Sequence, residues 1–276
     1  MTYASLLVAV DEGPESDSRL ELACDLANAF NARLIGLGTG SIAPPLYDPL
    51  AAGAMVGELF TLYRDIAETE VERARTRFSE IIRSRDVESE WRGDVGFPGQ
   101  SCVRAARAAD LIILGGRNAR APYHAPDVAD VLMGCGRPVL VTPPTRARNP
   151  VGEHALIAWK DCREARLAVT GALPLLRRVR GVTLYAVRAD EEDQTAAHEL
   201  ADVVQFLARH EVAAEPVLAL RGETSTGRQI LNEALVRGAG LIVAGAYGQP
   251  RLREWVLGGV TRDLLNESAV SLCLAH

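Results

Sequence analysis

The chain has few cysteines, and they do not follow a recognisable pairing pattern. Its 276 residues include five cysteines, an odd number, scattered along the sequence without C-x-x-C spacing. A disulfide framework or a zinc site needs more regular spacing, so we expect free thiols in a reducing compartment such as the cytoplasm.

The sequence also lacks long apolar runs and an excess of basic charge. No stretch contains the 18 or more apolar residues that mark a membrane-spanning helix. Residues 1–10 have neither the basic start nor the cleavage site of a signal peptide. The formal net charge is −6, whereas a nucleic-acid partner requires a basic face. We therefore expect a cytoplasmic protein with no membrane or nucleic-acid partner.

Several motifs of catalysis and cofactor binding are missing as well. There is no G-x-x-x-x-G-K loop, and the five histidines show no H-E-x-x-H spacing. Residues 36–41 follow a predicted strand but end in serine, and Pro44 and Pro45 then prevent an immediate helix. This segment is therefore not a dinucleotide-binding loop. No catalytic residue can be nominated, so an enzymatic function is the less favoured one.

What the sequence does contain is an internal repeat. Residues 109–116 (ADLIILGG) and 239–246 (AGLIVAGA) are near copies, and 138–143 and 270–275 close the two halves in the same way. Such self-similarity indicates two copies of one structural unit. We predict domains at 1–146 and 147–276.

The first copy is longer than the second. Aligning Asp11 with Lys160 gives an offset of 149, whereas aligning Gly115 with Gly245 gives 130. The difference of 19 residues is assigned to the proline-rich segment 40–57, which has no partner in the second half.

Each half alternates strands and helices. The predicted strands are 4–10, 33–38, 88–92, 110–114 and 138–142, then 154–159, 182–188, 214–220, 240–244 and 270–275. The predicted helices are 17–31, 57–84, 99–108 and 127–135, then 162–178, 191–210, 224–237 and 258–267. Most strands are near-continuous Val, Ile, Leu and Ala runs, as burial on both faces requires. The pattern predicts an α/β protein with two tandem, doubly wound, five-stranded parallel-sheet domains.

Ligands bind such sheets beyond the carboxyl ends of the strands. At that place in the second half, Gly245-Ala246-Tyr247-Gly248 is followed after nine residues by Gly258-Gly259-Val260-Thr261. Glycines allow backbone amides to approach an anion, and the start of a helix offers unpaired N–H groups and a positive dipole end. The arrangement could hold a di- or triphosphate, with the Thr261 hydroxyl as an added donor. Tight turns without a ligand are the alternative.

The spacing G-x2-G-x9-G after the fourth strand resembles the ATP-binding signature of universal stress proteins. The stretches AGAYGQPRLREWVLGGVTRDLL and LIAWKDCREARLAVTGALPLL, and LLVAVDEGPESDSRLELACDLA in the first half, are similar to that family. The resemblance implies an adenine nucleotide α hydrolase-like fold that binds ATP or another adenine nucleotide, with or without Mg²⁺. The site that it implies comprises Ala158, Trp159, Lys160, Val187, Gly245, Ala246, Tyr247, Gly248, Arg251, Gly258, Gly259, Val260 and Thr261.

The sequence departs from the family pattern at several positions. Gly259 stands where the family usually has Ser or Thr, and Lys160 stands where it often has Asp. In the first half Val128 and Ala129 take the place of the second glycine pair. We therefore predict one nucleotide site, in the second half, and a degenerate first half.

Three functions follow from this pattern. The first is a stress-response protein that binds a nucleotide and presents a ligand-dependent surface to a protein partner. The second is a slow ATPase, for which Asp161 and Glu254 are the only carboxylates to nominate. The third is an interaction module without a ligand. The resemblance also implies an intramolecular pseudo-dimer through 138–142 and 270–275, and leaves further homodimerisation open.

Overall fold

The computed structural model of the chain describes residues 2–13, 15–41, 56–116, 124–188, 194–248 and 259–276. All ten predicted strands and all eight predicted helices are present, with ends within three residues of the predicted ones. The strands are β1 (Ser5–Val10), β2 (Arg33–Gly40), β3 (Ser89–Val95), β4 (Leu111–Gly115), β5 (Val139–Thr142), β6 (His154–Trp159), β7 (Gly181–Arg188), β8 (Ala214–Leu220), β9 (Ala239–Gly245) and β10 (Ser271–Ala275). The helices are α1 (Ser16–Phe30), α2 (Val56–Arg83), α3 (Pro98–Ala105), α4 (Val128–Cys135), α5 (Arg163–Leu176), α6 (Gln194–Arg209), α7 (Thr226–Val236) and α8 (Gly259–Glu267).

The ten strands form one continuous sheet in the order β3-β2-β1-β4-β5-β10-β9-β6-β7-β8. Within each half all neighbouring strands are parallel, which is the doubly wound arrangement expected from the strand–helix alternation. The two halves meet where β5 and β10 pair antiparallel, with Leu140 opposite Cys273. Both the α/β fold class and the pairing of the two last strands are thus confirmed.

Helices cover both faces of the sheet. The first face is covered by α1, α2, α5 and α6, and the second face by α3, α4, α7 and α8. Successive side chains of a strand point to opposite faces. In β6, Ile157 and Trp159 pack on the first face, and Leu156 and Ala158 pack on the second. The near-continuous apolar runs of the sequence are therefore explained by a sheet buried on both sides.

The duplicated unit is visible in a repeated packing detail. A Cβ atom on Gly99 at the start of α3 would lie 3.2 Å from Cβ of Asp130 on α4, and one on Gly227 of α7 would lie 2.6 Å from Cβ of Asp263 on α8. In both halves a glycine allows two helices of the second face to approach closely.

Side chains also join the two halves across the first face. The hydroxyl of Tyr3 donates a hydrogen bond to the carbonyl of Gly171 at 2.6 Å. The guanidinium carbon of Arg178 lies 5.0 Å from the centroid of the Phe30 ring, within the range of a cation–π interaction. These contacts and the β5–β10 ladder make the halves one packed body.

The prediction that 40–57 holds all the extra length of the first half is wrong. Helix α2 has 28 residues, whereas its counterpart α6 has 16, so part of the extra length is helical. The predicted helices 57–84 and 191–210 already differ in length, so the assignment of all the extra residues to 40–57 overlooked the helix. Residues 42–55 lie outside the described residues. None of the helices in the described part has the length and hydropathy needed to cross a membrane.

Candidate functional site

The carboxyl ends of β6, β7 and β9 meet at one edge of the sheet in the second half. Adjacent strands place Ala158 opposite Ala244, next to the end of β9 at Gly245. Ala158, Val187, Tyr247 and Val260 all pack on the second face. Most predicted site residues are therefore brought to one edge. Arg251 and Gly258 lie outside the described residues.

Gly245 has a structural role that the sequence pattern did not show. A Cβ atom there would lie 2.5 Å from the backbone nitrogen of Ala165 and 2.8 Å from the carbonyl carbon of Glu164. Because backbone atoms of α5 pack directly against the end of β9, no larger residue fits at this position. The first glycine of the motif is thus needed for packing, whether or not a ligand is bound.

The loop after β9 already uses two of its backbone amides. The N–H of Ala246 donates to the carbonyl of Ala275 at 2.9 Å. The N–H of Tyr247, which has a φ of 61°, makes a long contact of 3.5 Å with Oγ1 of Thr261. Thr261 is 5% exposed, so its hydroxyl faces this loop more than solvent. The hydroxyl of Thr261 therefore ties the loop to α8.

Helix α8 begins at Gly259, which is exposed. Apart from its chain neighbours and the backbone of the helix itself, no atom of the described residues lies within 4 Å of the position that its Cβ would take. The first N–H groups of a helix have no partner inside the helix, and the helix dipole adds partial positive charge there. This tip is the part of the predicted cradle that is suited to receive an anion.

The matching helix in the first half is closed by its own side chain. The carboxylate of Asp127 accepts hydrogen bonds from the backbone N–H groups of Ala129 at 2.8 Å and Asp130 at 3.2 Å. This is an ordinary helix N-cap, and it puts a negative charge where a phosphate would have to bind. The geometry agrees with the prediction of a degenerate first half, which stays a prediction.

A second side chain fills the first half at the ends of β1 and β4. Arg19 is only 3% exposed. Its Nε donates to the carbonyl of Ala9 at 2.9 Å, and its Nη2 donates to the carboxylate of Asp11 at 2.5 Å. Asp11, an alignment partner of Lys160, is thus bound to a neighbouring arginine.

The second half places a carboxylate beside the glycine loop. A Cβ atom on Gly248 would lie 2.7 Å from Oε2 of Glu164, whose side chain is 12% exposed, and 3.4 Å from Sγ of Cys162. Burial raises the pKa of the Cys162 thiol, and its hydrogen bond to Glu164 raises it further. Glu164 was missed in the sequence, although its position in the first turn after β6 was a usable signal. An anion at this edge would meet a local negative charge.

Lys160 and Trp159 follow one another at the end of β6. Lys160 is exposed there. Trp159 packs on the first face, opposite to Ala158 and Val187. The structure therefore separates the side chain of Trp159 from those of Ala158 and Val187, because neighbours on a strand point to opposite sides.

Asp161 and Glu254 are the two carboxylates nominated for ATP hydrolysis. The carboxylate of Asp161 accepts a hydrogen bond from Nε of Arg166 at 3.1 Å, and Glu254 is outside the described residues. In the described part of the chain, no three His, Cys, Asp or Glu side chains form a group that could hold a metal ion.

Comparison with known proteins gives a family and several structural relatives. The model of the universal stress protein family matches residues 2–143. A universal stress protein from Archaeoglobus fulgidus DSM 4304 has a TM-score of 0.75 and 16% identity, covering 98% of this chain and 95% of that one. A functionally unknown protein from Pseudomonas aeruginosa PAO1 has a TM-score of 0.61 and 15% identity, covering 99% and 92%. A universal stress protein solved in complex with cAMP covers 52% of this chain and 100% of that one, with 21% identity and a TM-score of 0.34. No curated protein matches the chain.

Proposed function

The chain belongs to the universal stress protein family, and we propose that its second half binds ATP or another adenine nucleotide and acts as a ligand-dependent regulatory module in a stress response. The nucleotide's phosphates would lie at the tip of α8, beside the loop that follows β9.

One observation carries this proposal: the difference between the two equivalent helix tips. In the first half Asp127 occupies the amides of Ala129 and Asp130. In the second half the residue before the helix is Gly258, which has no side chain that could occupy the same amides. A phosphate can accept hydrogen bonds from the first amides of a helix and gains from its dipole, so the tip of α8 is the suitable one.

The neighbouring surface suits the rest of a nucleotide. Ala158 and Val187 end adjacent strands and present small apolar side chains on the second face. These side chains leave room for a flat base, and Lys160 is exposed beyond the same edge and can approach phosphate oxygens. Mg²⁺ would accompany the phosphates, because they supply the oxygen ligands that it prefers.

The proposed role is binding and signalling more than catalysis. A nucleotide at this place would touch both the loop after β9 and α8, and would order them together. A ligand that binds only the folded state stabilises it by about 2.7 kcal/mol at one hundred times its Kd. We propose that a protein partner binds the surface that the nucleotide orders.

Two variants at one position test the site. Gly259→Glu adds a carboxylate at the helix tip, and Gly259→Gln adds a neutral side chain of nearly the same size. Both extend into open space, so we expect both to fold as the wild type does. Calorimetric titration with ATP at low salt should show binding weakened about tenfold more by glutamate than by glutamine, because only the carboxylate repels phosphate.

The wild type supplies the decisive control. The purified protein is denatured, its released nucleotide is analysed, and a stripped sample is titrated with ATP, ADP and AMP with and without Mg²⁺. The absence of both retained and added nucleotide would leave the ligand-free interaction module as the function. Steady release of phosphate from ATP would instead favour the slow ATPase.

A further inference from the structure

A cavity of about 450 Å³ lies on the first face of the second half, between α5 and α6 and beyond the end of β6. This volume is in the range of small-molecule sites. The cavity is on the face of the sheet opposite to Ala158 and Val187. Its lining residues are Trp159, Asp161, Arg166, Val169, Thr170, Glu199, Asp202, Val203 and Phe206.

The cavity walls are aromatic and aliphatic. Trp159 comes from the sheet and Phe206 from α6, while Val169 and Val203 add apolar surface from the two helices. Aromatic rings carry negative partial charge on their faces and attract cations, and tryptophan does so most strongly. A wall of this kind suits a ligand with an apolar body and a positive charge.

The charges around the cavity have the matching sign. Three carboxylates, those of Asp161, Glu199 and Asp202, line it together with one guanidinium group, that of Arg166. Arg166 is engaged with Asp161 through its Nε at 3.1 Å. Asp202 is an exposed carboxylate at the rim of the cavity and can face a bound cation.

We propose that the cavity bounded by Trp159, Phe206 and Asp202 binds a small organic ammonium compound. The aromatic and aliphatic walls hold its apolar part, and the carboxylate of Asp202 balances its charge. The proposal does not depend on the proposed nucleotide site.

Choline and its neutral isostere 3,3-dimethylbutan-1-ol test the proposal. The two probes have nearly the same shape and the same hydroxyl group, so they differ mainly in the positive charge. Calorimetric titration of the full chain should show choline binding at least about tenfold more tightly, because the cation–π and carboxylate interactions act only on the ammonium. Equal binding of the two probes, or no binding of choline at tens of millimolar, overturns the proposal.

Variants of the lining locate the binding. Trp159→Leu removes the aromatic face, and Asp202→Asn removes one exposed charge at nearly constant shape. We expect each to weaken choline binding by about threefold to tenfold. Glu223→Gln, an exposed neutralisation that is not part of the cavity lining, should leave the binding unchanged.

The exposed position of Asp202 keeps the test meaningful if Trp159→Leu fails to fold. Choline binding that is unaffected by Asp202→Asn and by any folded Trp159 variant places the ligand elsewhere and overturns the assignment.

Discussion

The guanidinium group of Arg19 fills the space in which a Cβ atom on Gly115 would stand, at the end of β4 in the first half. The group donates hydrogen bonds to the carbonyl of Ala9 and to the carboxylate of Asp11. The two halves of the sheet thus differ in what packs at the ends of these strands. A buried ion pair lies beside Gly115 in the first half, whereas backbone atoms of α5 pack against Gly245 in the second.

Replacing Arg19 by methionine should destabilise the fold. The change keeps the stem of the side chain but leaves the carboxylate of Asp11, which is 19% exposed, without its cation. Breaking such a buried pair costs about 2–4 kcal/mol, because one charge stays desolvated and unpaired. Urea unfolding followed by circular dichroism measures the loss.

Arg73→Met is the matched control, because Arg73 forms an exposed ion pair with Glu12, at 3.3 Å. An exposed pair contributes less than about 1 kcal/mol. Similar losses in the two variants would show that burial does not strengthen the Arg19–Asp11 pair.

Replacing each of two glycines of the same motif by alanine should have different effects on the free energy of unfolding. Gly245→Ala forces a Cβ atom to within 2.5 Å of the backbone of α5, and overpacking of this kind costs about 2–3 kcal/mol. Gly259→Ala meets open space at the start of a helix and should be neutral or stabilising by less than about 1 kcal/mol. Thermal and urea unfolding of both variants check the contrast, and equal losses would contradict it.

The hydroxyl of Tyr247 is buried without a hydrogen-bond partner among the described residues. Burial, with the nearby carboxylates of Asp127 and Asp130, raises the pKa of its phenol to about 12. Tyr247→Phe should therefore raise the free energy of unfolding by about 1 kcal/mol, since it removes an unsatisfied polar group at little cost in packing. A loss of stability in urea unfolding would mean that the hydroxyl has a partner after all.

Most of the fold could be predicted from the sequence because it depends on repeating patterns. The apolar runs and the copies at 109–116 and 239–246 were enough to predict ten strands and their parallel order. Even the mostly polar β3 was correctly placed, because the βαβ alternation requires a strand there.

The details of the site could be predicted only in part. The glycines lie at the sheet edge where the sequence predicts the site. Their spacing does not show which amides the protein itself already uses, as Ala246 and Tyr247 do. The sequence also does not show which face of the sheet a strand residue occupies unless the register is known. For this reason the sequence predicts Trp159 and Ala158 in one site, although they lie on opposite faces. The approach of Glu164 to Gly248 depends on the packing of α5, which is a tertiary feature.

The carboxylate of Glu164 should weaken nucleotide binding at the proposed site. Glu164→Gln removes a negative charge beside Gly248 while it keeps the shape of the side chain. We expect ATP to bind about threefold to tenfold more tightly without Mg²⁺ at low salt, with a smaller gain as salt is added. Titration calorimetry at two ionic strengths measures the change.

Glu164→Asp serves as the control, because it changes the side-chain length but keeps the charge. A gain in affinity with aspartate as large as with glutamine would show that space and not charge limits binding. Unchanged affinity with glutamine would place the phosphates away from Gly248.

His154 should make folding stability depend on pH. Burial lowers the pKa of its imidazole below the ordinary value of 6.5, and the cations of Arg237 and Arg180 lower it further. Its Nε2 lies 2.9 Å from Oγ1 of Thr183. In the folded state the ring therefore stays neutral at pH values where the unfolded chain already binds a proton.

The sign of the effect follows from proton linkage. Above about pH 6.5 neither state is protonated at this ring, and its contribution to stability is constant. As the pH falls below 6.5, the unfolded state takes up a proton that the folded state resists, so stability is lost until the folded pKa is reached. Urea unfolding at pH 7.5 and pH 5.0 should show a larger loss for the wild type than for His154→Gln, which has no titrating ring. The carboxylates of the chain contribute equally to both proteins and cancel in this difference, so equal losses would mean that His154 is protonated as readily in the folded protein as in the unfolded chain.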